Sequence, residues 1–338
     1  MMKILQVLLS PRIGGAESLA MGLEKQWANM GVQSSITYLD SSDEQKSSRL
    51  QRIRHLRSEF RRYSPDIVLS HSAIPNAYCR AFLPRTATVI PVLHNSADDY
   101  KSRTLRYAEH YSLRGRTTPI VAVSEVAKNT YSKWFGFDVD LPIIRNGVDD
   151  PGFAPPRTLR PTEVVTLARV TPAKNPELWV NVVEFFRSNS DLVNFDWIGP
   201  IENNPQMKAA VSRVAPWENS CAFKGSIPNG ASRLKKYHLY FHPADKEALG
   251  ISVVEAIMTG LPVICSKSVA SVVGGDLVAE TFEPGNSESA HDAITRALNN
   301  FSFHIAASQA RRDSALQQFG IHACAMAYID LFKSIAPR

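Results

Sequence analysis

Two glutamates and the glycines around them carry the chemistry most directly legible in this chain of 338 residues. Glu247 and Glu255 enclose seven residues in the run Phe241-His-Pro-Ala-Asp-Lys-Glu247-Ala-Leu-Gly250-Ile-Ser-Val-Val-Glu255-Ala-Ile-Met-Thr-Gly260-Leu-Pro262-Val. The pattern predicts a strand ending at His242-Pro243, a loop with Glu247, a helix from near Gly250 to Gly260, and a strand opened by Pro262. Backbone N–H groups of Leu249, Gly250 and Ile251 then lie at a helix start, where unpaired amides and the positive dipole end suit a phosphate. Gly250 lets a ligand approach the backbone closely. Glu247 can accept hydrogen bonds from sugar hydroxyls, and Glu255, about two turns into the helix, two from a ribose diol. The competing reading is a helix with exposed glutamates. The setting of strand, loop, Gly, helix, Gly-x-Pro and strand favours a binding site.

Alternating strands and helices must position these groups. Lys3 to Leu9 reads as a buried strand, Gly14-Gly15 as a turn, and Leu19, Leu23, Trp27 and Met30 as the apolar face of a helix. Strands follow at Val32 to Leu39, Asp66 to Ser70, Ala87 to Leu93 and Pro119 to Val123, with a basic helix at Glu44 to Tyr63 and a further extended stretch at Leu141 to Ile144. Ser124 is a helix cap with Glu125 in the first turn. Between Asp149 and Pro161 stand Pro151, Pro155, Pro156 and Pro161 with no apolar period, which reads as a linker. The alternation restarts with strand Glu163 to Ala168, helix Glu177 to Phe186 and strand Asn194 to Ile198. Shorter strands come near Cys221 to Phe223, Leu239 to His242 and Pro262 to Cys265, and a last helix carries Ile321, Cys324, Tyr328, Leu331 and Ile335. The pattern predicts an α/β protein of two Rossmann-like, doubly wound domains facing a central cleft, at 1–150 and 151–319. The helix at about 320–338 completes the first.

Bulk properties narrow the class. Hydrophobic residues make up 44% of the chain, ordinary for a globular protein large enough to bury its own cores. Cys79, Cys221, Cys265 and Cys324 form no C-x-x-C pair, which argues against a zinc site or a disulfide framework and fits a reducing compartment. The first apolar run is too short for a signal peptide and no stretch has the length of a membrane span, so the expectation is a cytoplasmic protein, free or resting on a membrane surface. The formal net charge of +6 suits anionic partners.

The Glu247 to Val263 run resembles the Glu-x-x-Gly-x-x-x-x-Glu-Ala-Met-x-x-Gly-x-Pro-Val pattern of glycosyltransferase family 4, with Ile257 beside Met258 where the family often has Ala-Met. Other motifs extend the resemblance along nearly the whole chain. Gly14-Gly15-Ala16-Glu17 is similar to the family's loop beside the donor diphosphate. Arg169 and Lys174 resemble its Gly-Arg-x(4)-Lys-Gly signature, with Ala168 and Asn175 in place of the two glycines. Val121-Ala-Val-Ser124-Glu and Arg145-Asn146-Gly147-Val148-Asp149 are similar to its interdomain motifs. Phe223-Lys-Gly225-Ser-Ile227 is similar to the segment around the base, and His94 to a histidine near the reacting sugar, with Asn95 a weaker candidate.

The resemblance implies a GT-B, retaining glycosyltransferase that uses a nucleotide-sugar donor, UDP-linked rather than GDP-linked, and needs neither metal nor cofactor. It assigns Glu247 to the donor sugar and Glu255 to the ribose, and Arg169 and Lys174 to the diphosphate and the leaving group's charge. With His94 these form the catalytic set, while Gly14, Gly15, Leu249, Gly250, Ile251, Gly225 and Ile227 bind the donor. The acceptor side falls to the first domain. Lys46, Arg49, Arg52, Arg54, Arg57, Arg61 and Arg62 crowd one helix, which is either a solvated face or a contact for anionic lipid, the latter implying a lipid-linked glycan acceptor of lipopolysaccharide or polysaccharide assembly. No recognition motif supports nucleic acid. The rival readings are a nucleotide-sugar epimerase of the same fold and a non-catalytic sugar-nucleotide binder. A nicotinamide enzyme is disfavoured, because no Gly-x-Gly-x-x-Gly follows the first strand.

Overall fold

Apolar runs too long for one-sided burial become strands covered on both faces, and both sheets of this protein are parallel for that reason. The computed structural model describes residues 2–11, 14–42, 46–94, 102–113, 119–135, 141–158, 162–188, 192–247 and 249–335. The chain divides into two compact units, Met1–Val148 with Phe319–Arg338, and Asp149–Gln318.

In the first unit, β1 (Lys3–Leu8), β2 (Gln33–Tyr38), β3 (Ile67–His71), β4 (Thr88–Leu93) and β5 (Val121–Ala122) form a sheet of order β2-β1-β3-β4-β5. Every strand pair in it is parallel. The Ile321–Ile335 helix packs on the Gly15–Asn29 helix. There the Trp27 ring meets Tyr328 and Phe332, and its Nε1–H donates to the Ala325 carbonyl at 3.2 Å. This tryptophan is fully buried, and burial of such a ring contributes about 1.5–3 kcal/mol.

In the second unit, β6 (Glu163–Leu167), β7 (Asn194–Ile198), β8 (Cys221–Gly225), β9 (Leu239–His242), β10 (Val263–Ser266) and β11 (Glu280–Phe282) run in the order β11-β10-β9-β6-β7-β8. They too are all parallel. Trp179, Trp197, Phe186, Phe195, Phe241 and Phe282 fill the core beneath.

Local differences from the sequence reading have identifiable causes. The basic helix spans Arg49–Tyr63, because Ser48 caps it: its hydroxyl accepts from Gln51 N at 3.3 Å while Gln51 Oε1 accepts from Ser48 N at 2.7 Å. Lys46 therefore precedes the helix, and Glu44 lies outside the described residues. On that helix Arg52 is held by Asp40 through two hydrogen bonds of 2.8 and 2.7 Å, and Arg62 pairs with Glu59. Arg54, Arg57 and Arg61, spaced three and four apart, form an exposed stripe. The strand expected at Pro119 to Val123 is shorter, since Ser124 caps the next helix by accepting from Ala127 N at 3.2 Å. The stretch at Leu141 to Ile144 makes only an isolated bridge, Ala122 to Ile143.

The proline-rich segment carries no helix or strand over 149–158, yet it is fastened to the second unit. Asp150 accepts from Arg312 at 2.9 and 2.6 Å, Ala154 N donates to Thr259 O at 2.9 Å, and the Arg312 guanidinium lies over the Phe153 ring at 5.5 Å. Pro161 lies outside the described residues. The four cysteines are buried and none is in a disulfide. No described helix is long and apolar enough to cross a membrane.

Candidate active site

Chain order in the second sheet is 3-2-1-4-5-6, so the connections leave β6 and β9 toward opposite sides and the carboxyl ends of these neighbours open a crevice. The β6 end delivers Arg169 and Lys174, and the β9 end delivers His242 and Glu247. Gly199 fixes the β6 exit. Its φ is +151°, and a Cβ there would stand 1.9 Å from the Ala168 carbonyl oxygen. Trp197 Nε1–H donates to the same oxygen at 2.8 Å.

Asn175, where the resembling family carries glycine, explains how that position works here. Its φ is +50°, a left-handed conformation that asparagine tolerates. Its Oδ1 accepts from Leu178 N at 3.2 Å, and its Nδ2 donates to the Asp245 carboxylate at 3.3 and 3.4 Å. Asp245 also accepts from Gly285 N at 2.7 Å. One side chain thus adopts the turn, caps the following helix and ties the β6 loop to the β9 loop.

That tie sets Lys174 against Glu247. The Lys174 ammonium and His242 Nε2 both bond Glu247 Oε1, the latter at 2.8 Å. Glu247 Oε2 has no partner among the described residues. Burial alone would raise this carboxyl, but His242 and Lys174 outweigh it and hold it well below the ordinary carboxylate range. Burial pushes the His242 imidazole down, so it is neutral at pH 7 and donates through Nε2–H. The Tyr240 hydroxyl stands 3.3 Å from His242 Nδ1 and 2.9 Å from Ser252 Oγ. His242 and Tyr240 were not singled out from the sequence. The available signal was the five-residue step from a strand-end histidine to Glu247.

Gly250, at φ +75°, turns the chain into the helix Ile251–Thr259, and its carbonyl accepts from Val253 N at 2.9 Å and Val254 N at 3.1 Å. The N–H groups of Ile251 and Ser252 precede these and form the amide-rich helix start, above the buried Leu249. Glu255 sits one turn into the helix rather than two. Its carboxyl is half-buried without a bonding partner among the described residues, and burial, with the Asp149 charge, raises it to about 7. Arg169 is exposed and likewise unpaired among the described residues. Gly225 ends β8, where its carbonyl accepts from Gly199 N at 2.8 Å, and Ile227 is half-buried just beyond. Lys174 and Glu247 are therefore in contact, with Leu249, Gly250 and Ile251 on the same β9 connection.

The remaining sequence candidates belong to the first unit. Gly14 caps the Gly15–Asn29 helix, the first helix after β1, its carbonyl accepting from Ser18 N at 3.0 Å. In this sheet the direction of winding reverses between β1 and β3. His94 follows β4 and is 8% exposed, and its Nε2 lies 2.9 Å from Nδ1 of His71, the last residue of β3. His71 Nε2 lies 3.3 Å from Gln6 Oε1 on β1. Neither partner carries a motif that would have found it. Asn95 lies outside the described residues. No group of three or more His, Cys, Asp or Glu side chains among the described residues is arranged to hold a metal ion.

Comparison with known proteins places two family models end to end on this chain. The model for Glycosyltransferase Family 4 matches residues 13–150 and that for Glycosyl transferases group 1 matches residues 153–313. No curated protein matches the chain in sequence. A glycosyltransferase from Rickettsia africae ESF-5 superposes with a TM-score of 0.81 at 16% identity, over 99% of this chain and 98% of that one. Anabaena Alr3699/HepE in complex with UDP and glucose does so with a TM-score of 0.80 at 16% identity, over 99% and 100%. WaaG, a glycosyltransferase involved in lipopolysaccharide biosynthesis, gives 0.71 at 13% identity, over 98% and 99%. All three share the GT-B fold of two parallel, Rossmann-like sheets.

Proposed function

The chain belongs to glycosyltransferase family 4, and from that premise we propose that it is a retaining transferase that moves a hexosyl group from a nucleoside diphosphate, UDP rather than GDP, to a hydroxyl of a glycan or glycolipid. The setting is lipopolysaccharide or cell-surface polysaccharide assembly in the cytoplasm. The observation that carries this reading is the convergence at one sheet opening of a helix start, a Lys174–Glu247 pair and an exposed Arg169. A diphosphate lies against the amides of Ile251 and Ser252, with Arg169 and Lys174 neutralising its charge. Glu247 accepts a sugar hydroxyl through Oε2, and the Glu255 carboxylate accepts the ribose diol. Leu249, Gly250, Gly225 and Ile227 line the nucleotide, and the first unit, with Gly14, Gly15 and His94, faces the acceptor side. The relatives bound to UDP and UDP-glucose favour a uridine donor.

The anomeric carbon loses its bond to the phosphate oxygen as the acceptor oxygen bonds to the same face, and the departing phosphate takes the acceptor proton. The rate comes mainly from cations and amides that stabilise the diphosphate as it leaves. A panel of UDP- and GDP-sugars tests the donor: a binding sugar nucleotide raises the melting temperature. NMR of the product then shows whether anomeric configuration is kept. Conversion of the sugar nucleotide without acceptor would instead establish an epimerase, and binding without turnover a pure binder.

The exposed Arg54, Arg57 and Arg61 stripe supports contact with an anionic membrane surface. Sedimentation with phosphatidylglycerol vesicles checks it: the triple glutamate variant is expected in the supernatant, and equal pelleting of both proteins would end the idea.

A further inference from the structure

Gln6, His71 and His94 come from three neighbouring strands, and strand geometry places them on one face. Gln6 pairs with Leu69, two residues before His71, and His71 pairs with Val92, two before His94. Period-two alternation therefore stacks the three side chains at the carboxyl end of the sheet. The two imidazoles lie 5.1 Å apart at 28°.

The hydrogen bonds settle which nitrogen carries each proton. Gln6 Nε2 donates to the Ala20 carbonyl at 2.9 Å and to Ser34 Oγ at 3.2 Å, so its Oε1 faces His71 as an acceptor. His71 Nε2 must then be the protonated nitrogen. Burial drives both imidazoles down, His71 well below the ordinary histidine range and His94 to about 4, so each holds one proton at pH 7. With its proton on Nε2, His71 presents a bare Nδ1. His94 must donate to it, and its own proton lies on Nε2. The remaining nitrogen, His94 Nδ1, is buried, unprotonated and without a hydrogen-bond partner among the described residues.

We propose that Gln6 and His71 are positioning residues that lock His94 in one tautomer, so that its bare Nδ1 accepts a hydrogen bond from a sugar hydroxyl of the bound substrate and rejects an anionic oxygen there. The hydroxyl part of this inference rests on the transferase reading, whereas the lock does not. A fixed acceptor leaves an incoming carboxylate or phosphoryl oxygen unpaired, which a buried site penalises.

Long-range proton–nitrogen NMR of the whole chain, labelled with 15N-histidine and assigned with His71→Asn and His94→Asn, reads the tautomers directly. The expected spectrum has His71 and His94 both protonated on Nε2, and a proton on His94 Nδ1 overturns the proposal. His71→Phe removes the acceptor, and the His94 proton should then spread over both nitrogens while kcat with UDP-glucose falls several-fold at unchanged UDP affinity. His71→Asn, whose Oδ1 takes the place of the lost Nδ1, should restore both. An unchanged His94 spectrum and unchanged turnover in His71→Phe would overturn the lock. Wild type that shows the expected spectrum yet turns over no UDP- or GDP-sugar sinks the transferase reading and the hydroxyl role with it, and leaves the lock standing.

Discussion

At the β6–β9 opening Lys174 pairs with Glu247, and the exposed Arg169 lies on the same connection from β6, whereas at the β1–β3 opening Gln6, His71 and His94 carry no charge. Both places arise from the same topological feature of a parallel sheet. What differs is burial and the source of order. The charged region is built from two connections held together by Asn175 and Asp245 and stays accessible to solvent at Lys174 and Arg169. The neutral one is built from strand ends and is buried, with His94 keeping 8% exposure, so desolvation removes charge from both histidines. Topology chooses where a site can open, and burial chooses whether it works by charge or by hydrogen-bond direction.

The largest effect should come from removing charge. Lys174→Ala is expected to lower sugar-nucleotide turnover about 10²–10³-fold, the scale seen when one stabiliser of a leaving charge is lost. Its effect on melting temperature should be modest, because the ammonium is partly exposed and His242 still bonds the carboxylate left behind. Steady-state kinetics with UDP-glucose beside a thermal melt separates the two. A large loss of stability with turnover preserved per folded molecule would erase the contrast between the regions.

The source of order can be tested next. Asn175→Ala loses a helix cap and the bond to Asp245, and it leaves at φ +50° a residue without the side-chain amide that lets asparagine tolerate that conformation. The cap contributes about 1 kcal/mol and the left-handed residue about as much again, so urea denaturation should show a loss of about 2 kcal/mol. Asn175→Gly relieves the backbone and should recover roughly half of it. Equal stability of the alanine and glycine variants would mean that the left-handed turn does not matter.

These two regions also mark how far the sequence could be read. Glu247, Gly250 and Glu255 lie in one contiguous run whose strand, loop and helix follow from glycine, proline and apolar spacing, so their neighbourhood was legible. The bond from Lys174 to Glu247 spans 73 residues, and that from Asn175 to Asp245 spans 70. Asn175 read as a departure from a glycine motif until its φ showed that it serves the same turn. Gln6 and His71, 65 residues apart, carry no motif, because their meeting depends on strand order and register, which no local pattern encodes. The basic helix began at Arg49 because the capping pair Ser48 and Gln51 outweighed the charge pattern that suggested an earlier start.

A pH series sharpens the electrostatic half of the comparison. Glu255 is raised to about 7 by burial and by Asp149, and in the proposed ribose-binding role it would have to be ionised to accept two hydroxyls. Donor binding therefore draws on the deprotonated form, and affinity should fall as pH drops through 7, by about tenfold between pH 7.5 and 6. Calorimetry with UDP should show this slope, and Glu255→Gln should flatten it. The folded protein binds more protons at this site than the unfolded chain between the ordinary carboxyl value and 7, so this group's contribution to stability falls as pH rises through that window. Glu255→Gln should accordingly be more stable than wild type at pH 8, with the difference shrinking as pH falls and gone only below the ordinary carboxyl value, at about pH 4. A UDP affinity independent of pH in wild type would remove Glu255 from the ribose.

The smallest expected effect concerns metal. On the proposed reading, the charge that leaves with the nucleoside diphosphate would meet Arg169, Lys174 and the amides at the start of the Ile251–Thr259 helix, all parts of the chain itself. Such preorganised charge does not need to be recruited for each turnover, which is the service a divalent ion would otherwise supply. If Arg169 and Lys174 do the neutralising as proposed, turnover in EDTA should stay within about twofold of that in magnesium. The double variant Arg169→Ala/Lys174→Ala supplies the control, because magnesium should restore nothing to a site with no carboxylate cluster among the described residues to seat it. Loss of most wild-type activity in EDTA, regained with magnesium, would show that the charged opening is incomplete as built.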